Sequence, residues 1–357
     1  MRLAMPFVWD ERCLAHDPRS EVWVGVATPA AETAGRIEAI RAALLEAGAP
    51  QVAATTHDDG ALRTVHEAEL VEYLQTAWDD WSAAGLPEDP GQDRVVPYVF
   101  AHAALSSDRK AAVPAAVWAR PGYFTYDTMT LVGPGTWEAA RGAVDAALTA
   151  VDLVADGAPS AYACCRPPGH HATRSCFGGS CYLNNAAVAA TALLDRIGGP
   201  IAVVDIDAHH GNGTQEIFLD RADVLVGSVH VDPGAGWFPH FLGFSDETGA
   251  GDGAGANRNV VLPPGAGDGD WLQAVGELVE WAKINGATGM VVALGVDAAA
   301  GDPESPLRVE RAGFRQAGVL LGESKLPTVF VQEGGYDLGS IGTLVREVLL
   351  GVEEGIV

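Results

Sequence analysis

Two apolar patterns alternate along the chain. Short β-branched runs occur at 161–165, 201–206, 224–229, 290–294 and 328–331. Continuous apolar runs of this length predict strands buried on both faces. Between them, apolar positions recur at steps of three and four. Trp137, Ala140, Val144, Leu148 and Val151 form one such stripe, which predicts a helix with one packed face. Residues 186–197 behave alike and run into Gly198-Gly199, a helix-terminating signal. Residues 271–281 and 33–47 predict two more helices. Strands alternating with helices predict an α/β fold, a parallel sheet covered on both sides.

The stretch 85–126 breaks this rhythm. It carries Pro87, Pro90, Pro97, Pro114 and Pro121 and shows weak periodicity. Long irregular segments inside compact chains are usually functional or disordered. The expectation is a single catalytic domain over 1–357, with 85–126 as an inserted loop. That loop would shape a pocket mouth or meet another subunit. No internal repeat or low-complexity tract interrupts the rest.

The predicted strands run into polar, glycine-rich sequence: CRPPGHHA, DIDAHHGNG, SVHVDP, GVDAAAGDP and QEGGYDL. In open α/β sheets, ligands bind beyond the carboxyl ends of the strands. Five such ends converging on one face predict an active site. Asp207 and His209 are two apart on extended backbone, so their side chains share a direction. With Asp297 at another strand end, they could grip one divalent ion and leave positions open for catalysis. Zinc suits this set, and iron(II), manganese or cobalt are alternatives. Alone, an Asp-x-His often only caps a helix.

His170 and His171 follow Pro167-Pro168-Gly169, a stiff turn that can present two imidazoles to one place. One could take a proton from water while the other stays charged. Asp205 could orient one histidine or help hold a monovalent cation; Asn212 could orient the other. Tyr336, after Gly334-Gly335, could polarise a carbonyl.

Composition then limits the partners. Hydrophobic residues at 48% and charged residues at 19% suit a globular chain. The formal charge of −25 argues against nucleic acid, which requires basic surface. No run approaches the ~18 apolar residues of a membrane span. The opening MRLAMPFVWDER meets Asp10 and Glu11 too early for a signal peptide. Five cysteines without a framework fit reduced thiols, hence a cytoplasmic location.

Taken together, RPPGHHA, GGSCYLNNAAVAA, DIDAHHGNGTQ, ALGVDAAAGDP and EGGYDL resemble the histone deacetylase and acetylpolyamine amidohydrolase family. GPGTWEAA and DPGAGWFPHFLGFSDETGAGDGAGAN resemble the acetylpolyamine amidohydrolase branch. The resemblance implies an arginase-like three-layer α/β/α sandwich around an eight-stranded parallel sheet. It implies zinc on Asp207, His209 and Asp297, with His170, His171 and Tyr336 catalytic. Asp205 would be the partner of the first histidine. Asn212 stands where class I enzymes carry aspartate, the class II pattern. Asp205, Asp207, His209, Ser228 and Val229 match a potassium site, and Phe218, Arg221 and Val224 a second monovalent site, largely through main-chain oxygens.

The resemblance thins in the substrate channel. Phe238 fits one aromatic wall, but Ser180, between Gly179 and Cys181, replaces the other. The channel is then either wider, or Trp118 or Trp237 fills the gap. Acidic positions of the branch's inserted loop appear as Trp118 and Met129. Asp127 and Asp108 lie close by, and Glu21 remains. The expected substrate is a small acylated amine such as an acetylpolyamine, acted on by a homodimer. Alternatives are acetyl-lysine in peptides, an uncharged natural-product amide, or a catalytically silent binding module. An arginase-like ureohydrolase would need two metals, and ligands for one are present.

Overall fold

The protein is described by a computed structural model that covers residues 2–106, 109 and 111–357. The described residues form ten strands: β1 Phe7–Trp9, β2 Ser20–Trp23, β3 Val26–Pro29, β4 Gln51–Ala53, β5 Ser160–Ala163, β6 Ile201–Asp205, β7 Val224–Val231, β8 Asn257–Leu262, β9 Gly289–Leu294 and β10 Thr328–Gln332. Eight form one parallel sheet in the order β4-β1-β5-β10-β9-β6-β7-β8. β2 and β3 make a separate antiparallel hairpin.

All five predicted strands form, within two residues at each end. The central strands β5, β6, β7, β9 and β10 are buried along their whole length, as continuous apolar runs require. The four predicted helices appear as Ala34–Glu46, Thr136–Ala155, Asn185–Ile197 and Asp268–Ile284. Asn184 caps the third, its side chain accepting from the Ala187 amide at 2.9 Å.

The order of strands sets the site. From β6 the chain winds outward through β7 to β8, then returns to β9 on the other side of β6. The winding reverses between β6 and β9, and such a reversal opens a crevice at the carboxyl edge. Asp207 and His209 follow β6, and Asp297 follows β9, in paired register (Asp205 opposite Ala293).

Residues 85–126 contain only short helical turns among the described positions: Ala103–Ser106, Val117–Ala119 and Pro121–Phe124. Tyr98, Leu105 and Trp118 project from this segment and are exposed. No helix among the described residues is long and apolar enough to cross a membrane. The five cysteines are unpaired.

Candidate metal centre and active site

Each ligand of the predicted triad sits just past the end of a buried strand. The ligand atoms of Asp207, His209 and Asp297 lie within 4.8 Å of one another. His209 Nδ1 stands 3.0 Å from Asp297 Oδ2 and 3.2 Å from Asp207 Oδ1. Backbone amides support the carboxylates. Gly334 and His209 donate to Asp207 at 2.7 and 2.8 Å, and Ala208 donates to Asp297 at 2.8 Å. A Cβ on Gly334 would stand 2.3 Å from Asp297 Oδ2 and 2.5 Å from Asp207 Oδ2. Two carboxylates and one imidazole, braced from behind and crowded by a glycine, fit a catalytic divalent metal.

The tandem histidines have different partners. His170 Nδ1 lies 2.9 Å from Asp205 Oδ2, and His171 Nδ1 lies 2.7 Å from Asn212 Oδ1. Their rings are 4.0 Å apart. Burial opposes charge on both. At His170 the carboxylates of Asp205 and Asp207 outweigh burial and raise the pKa to about 10. At His171 burial acts together with the charge on His170 and lowers the pKa. One imidazole is thereby held charged and the other neutral, the division that acid–base work requires.

Tyr336 borders the same cavity. Burial raises its hydroxyl pKa, so the phenol stays protonated and can donate. The buried Arg36 guanidinium lies 4.7 Å over its ring and donates to the Gly335 carbonyl at 2.6 Å. Asp302 accepts from the Tyr336 amide at 2.8 Å. Glu333 accepts from the Gly169 and His170 amides at 2.6 and 3.1 Å and fixes the histidine turn.

The cavity above the triad is narrow, about 90 Å³. Gly179, Ser180 and Met129 form one wall, and Phe238 forms another. Phe238 meets His171 edge-on at 4.8 Å. Neither Trp118 nor Trp237 borders it: Trp118 is exposed, and Trp237 packs against the core. Met129 occupies the side that lacks an aromatic. Asp127 accepts from the Gly179, Met129 and Thr130 amides, so it braces the Ser180 turn. Asp108 lies outside the described residues.

Three carboxylates border this cavity: Glu32, which is paired with Arg36 and Arg166, Glu21 from β2, and Glu304 from the loop after β9. Burial, with Glu304 and Asp127 nearby, raises the Glu21 carboxyl to about 7. Sequence reasoning passed over Glu304, Arg36 and Glu333. Glu304 stands one residue beyond the GVDAAAGDP motif, the only local signal it carries.

The remaining predicted residues lie along β6 and β7. Asp205 pairs with Ser228 in register, and Ser228 Oγ lies 2.8 Å from His230 Nδ1. Val229 follows within β7. The Phe218 carbonyl accepts from the Arg221 amide at 3.0 Å, just before Val224 opens β7.

The histone deacetylase domain matches residues 30–352.

The chain belongs to the histone deacetylase family.

It is 38% identical to acetylpolyamine amidohydrolase of Mycoplana ramosa over 349 residues, 98% of this chain and 99% of the relative. The crystal structure of an acetylpolyamine aminohydrolase from Burkholderia pseudomallei superposes with a TM-score of 0.92 at 36% identity, covering 99% of both chains. The HD domain of HDA15 gives 0.77 at 29% identity, covering 97% of this chain and 87% of that one. The fold is thus arginase/deacetylase-like, as the resemblance implied, and the protein is a hydrolase of the deacetylase and amidohydrolase type. The histone deacetylase family implies a divalent metal.

Proposed function

We propose that the protein is a zinc-dependent deacetylase of small N-acetylated amines that carry a second, cationic nitrogen. The observation that carries this reading is the pair Glu21 and Glu304, which border the cavity beside the arginine-paired Glu32. Among the described residues, neither carboxylate has a side-chain ion-pair partner. Two acidic groups in a half-buried pocket favour a cation over a neutral amide. They offset the loss of charge at Trp118 and Met129. The narrow cavity and the amidohydrolase relatives support small substrates over acetyl-lysine in proteins.

Asp207, His209 and Asp297 would hold the zinc. When bound, it would supply Lewis-acid polarisation of the amide carbonyl and of the attacking water. Tyr336 donates a hydrogen bond to the carbonyl oxygen as negative charge develops there. His171, neutral and fixed by Asn212, takes the proton of the attacking water. His170, charged beside Asp205, contributes fixed positive charge next to the reacting group. The proton that leaves the water reaches the departing amine through the histidine pair. Phe238 and Met129 line the acyl group and exclude bulk solvent.

Asp205, Asp207, His209, Ser228 and Val229 would hold a potassium ion, and carbonyls near Phe218, Arg221 and Val224 a second. A cytoplasmic location fits the five unpaired thiols. The exposed Tyr98, Leu105 and Trp118 support residues 85–126 as a dimer contact at the active-site mouth. Sedimentation is expected to give twice the chain mass; a monomer at micromolar concentration would reject the dimer.

The decisive experiment is a panel of acetylputrescine, acetylcadaverine, acetylspermidine, an acetyl-lysine peptide and an uncharged acyl amide. Cationic acetylamines should be preferred. Glu304→Gln should raise their KM about tenfold, the scale of one lost charge contact, and leave the uncharged amide unchanged. Equal turnover of charged and uncharged amides would reject the cation reading.

A further inference from the structure

Phe238 sits mid-way along a loop, residues 232–248, that leaves β7 and carries little regular structure. Something must hold that loop for Phe238 to act as a wall. At its start, the Asp232 amide donates to the Leu262 carbonyl at 2.9 Å. At its far end, Glu247 gathers the backbone. Its carboxylate accepts from the Gly243 amide at 3.0 Å and from the Phe244 amide at 3.1 Å.

That carboxylate is in turn held from inside the protein. Gln215 Nε2 donates to Glu247 Oε2 at 2.6 Å. Gln215 Oε1 accepts from Asn257 and Asn259 of β8, each at 2.9 Å, and lies 3.0 Å from His210 Nε2. Asn257 also donates to the Glu247 carbonyl at 2.7 Å, and Asn259 to the Phe244 carbonyl at 3.2 Å. Gln215, Asn257, Asn259 and His210 are all buried. Buried hydrogen bonds that join a helix, a strand and a loop in this way hold the loop in place, while Asn257 Oδ1, Asn259 Oδ1 and His210 Nδ1 have no partner in them.

The position of Gln215 gives the network its meaning. It lies on the helix Asn212–Phe218, whose first residue holds His171. His171 is thus set from one side by Asn212 and faced from the other by Phe238 at 4.8 Å. Both contacts are referred to the same seven-residue helix, one directly and one through Gln215 and Glu247.

We propose that Gln215 and Glu247 are positioning residues that fix the Phe238 wall relative to His171, so that substrate fit is set by a buried amide–carboxylate pair remote from the substrate. The inference rests on Phe238 bordering the acyl group, as in the function proposed above. Neither residue touches the cavity of the metal triad.

The test is a reciprocal swap. Gln215→Glu alone sets two carboxylates against each other and should raise KM for acetylputrescine about tenfold, with kcat changing less. Adding Glu247→Gln restores one donor facing one acceptor and should return KM to within about threefold of the parent. Glu247→Ala removes the anchor without a charge clash and should raise KM about fivefold, with kcat and zinc content little changed. Additive effects in the swap, or an Ala variant with unchanged KM, would overturn the proposal. The Ala variant decides the matter even if Gln215→Glu does not fold. Failure of the parent enzyme to hydrolyse any acetylamine would instead reject the functional reading beneath it.

Discussion

His170 and His171 are adjacent in sequence and identical in chemistry, yet the fold makes them unlike. The difference lies one contact away, in a carboxylate for one and a carboxamide for the other. His171 can accept a proton only while neutral. A carboxylate at position 212 would stabilise its charged form and raise its pKa. Asn212→Asp should therefore move the acidic limb of the kcat/KM profile to higher pH, by about one pH unit. An unmoved limb would remove Asn212 from this role. The pairings of His170 with Asp205 and of His171 with Asn212 were legible in sequence as residues near the DIDAHHGNG motif. The Arg36 contact with Tyr336 was not, because Arg36 comes from a distant helix with no motif around it.

The strand ends place the candidate metal ligands. Asp207 and Asp297 are placed by neighbouring strands, and the turn after β10 closes over them through Gly334. Its missing side chain is what lets that turn approach. Gly334→Ala would drive a methyl group into both carboxylates. Backbone would have to move, and zinc affinity should fall by about tenfold or more, as when a supporting contact to a ligand is lost. Direct measurement of zinc binding checks this, and unchanged affinity would show that the turn is free to yield. Central strands were readable because burial on both faces leaves an unbroken apolar run. β1 and β4 were missed because each has only three residues. β8 was missed because it is an edge strand with polar Asn257, Arg258 and Asn259 at its start. The helices Arg311–Glu323 and Ile341–Ile356 were also passed over. They meet where Gly318 lies against the Val348 carbonyl, so glycines that look like breaks in the sequence serve a close crossing.

Across the whole molecule, the charge of −25 is long-range, whereas Glu21 and Glu304 act at contact. The two can be separated by salt, since screening shortens to about 10 Å at 0.1 M. Raising ionic strength should lower kcat/KM for acetylspermidine several-fold, with little effect on an uncharged amide. Parallel salt curves for both substrates would show that the acidic surface does not steer the substrate. Any residual preference at high salt belongs to the local carboxylate pair.

The sequence alone determined the class of fold and which residues gather at the strand ends: Asp207, His209 and Asp297, the histidine pair and Tyr336. These lie in short motifs at strand ends, where extended backbone and tight turns fix side-chain direction within a few residues. Tertiary structure decided what surrounds them. Met129 beside Ser180, Glu304 beside Glu21, and Gln215 tied to Glu247 each join segments far apart in the chain, and Trp118 is left turned to solvent. Their approach depends on how loops pack over the sheet, and no local periodicity encodes that.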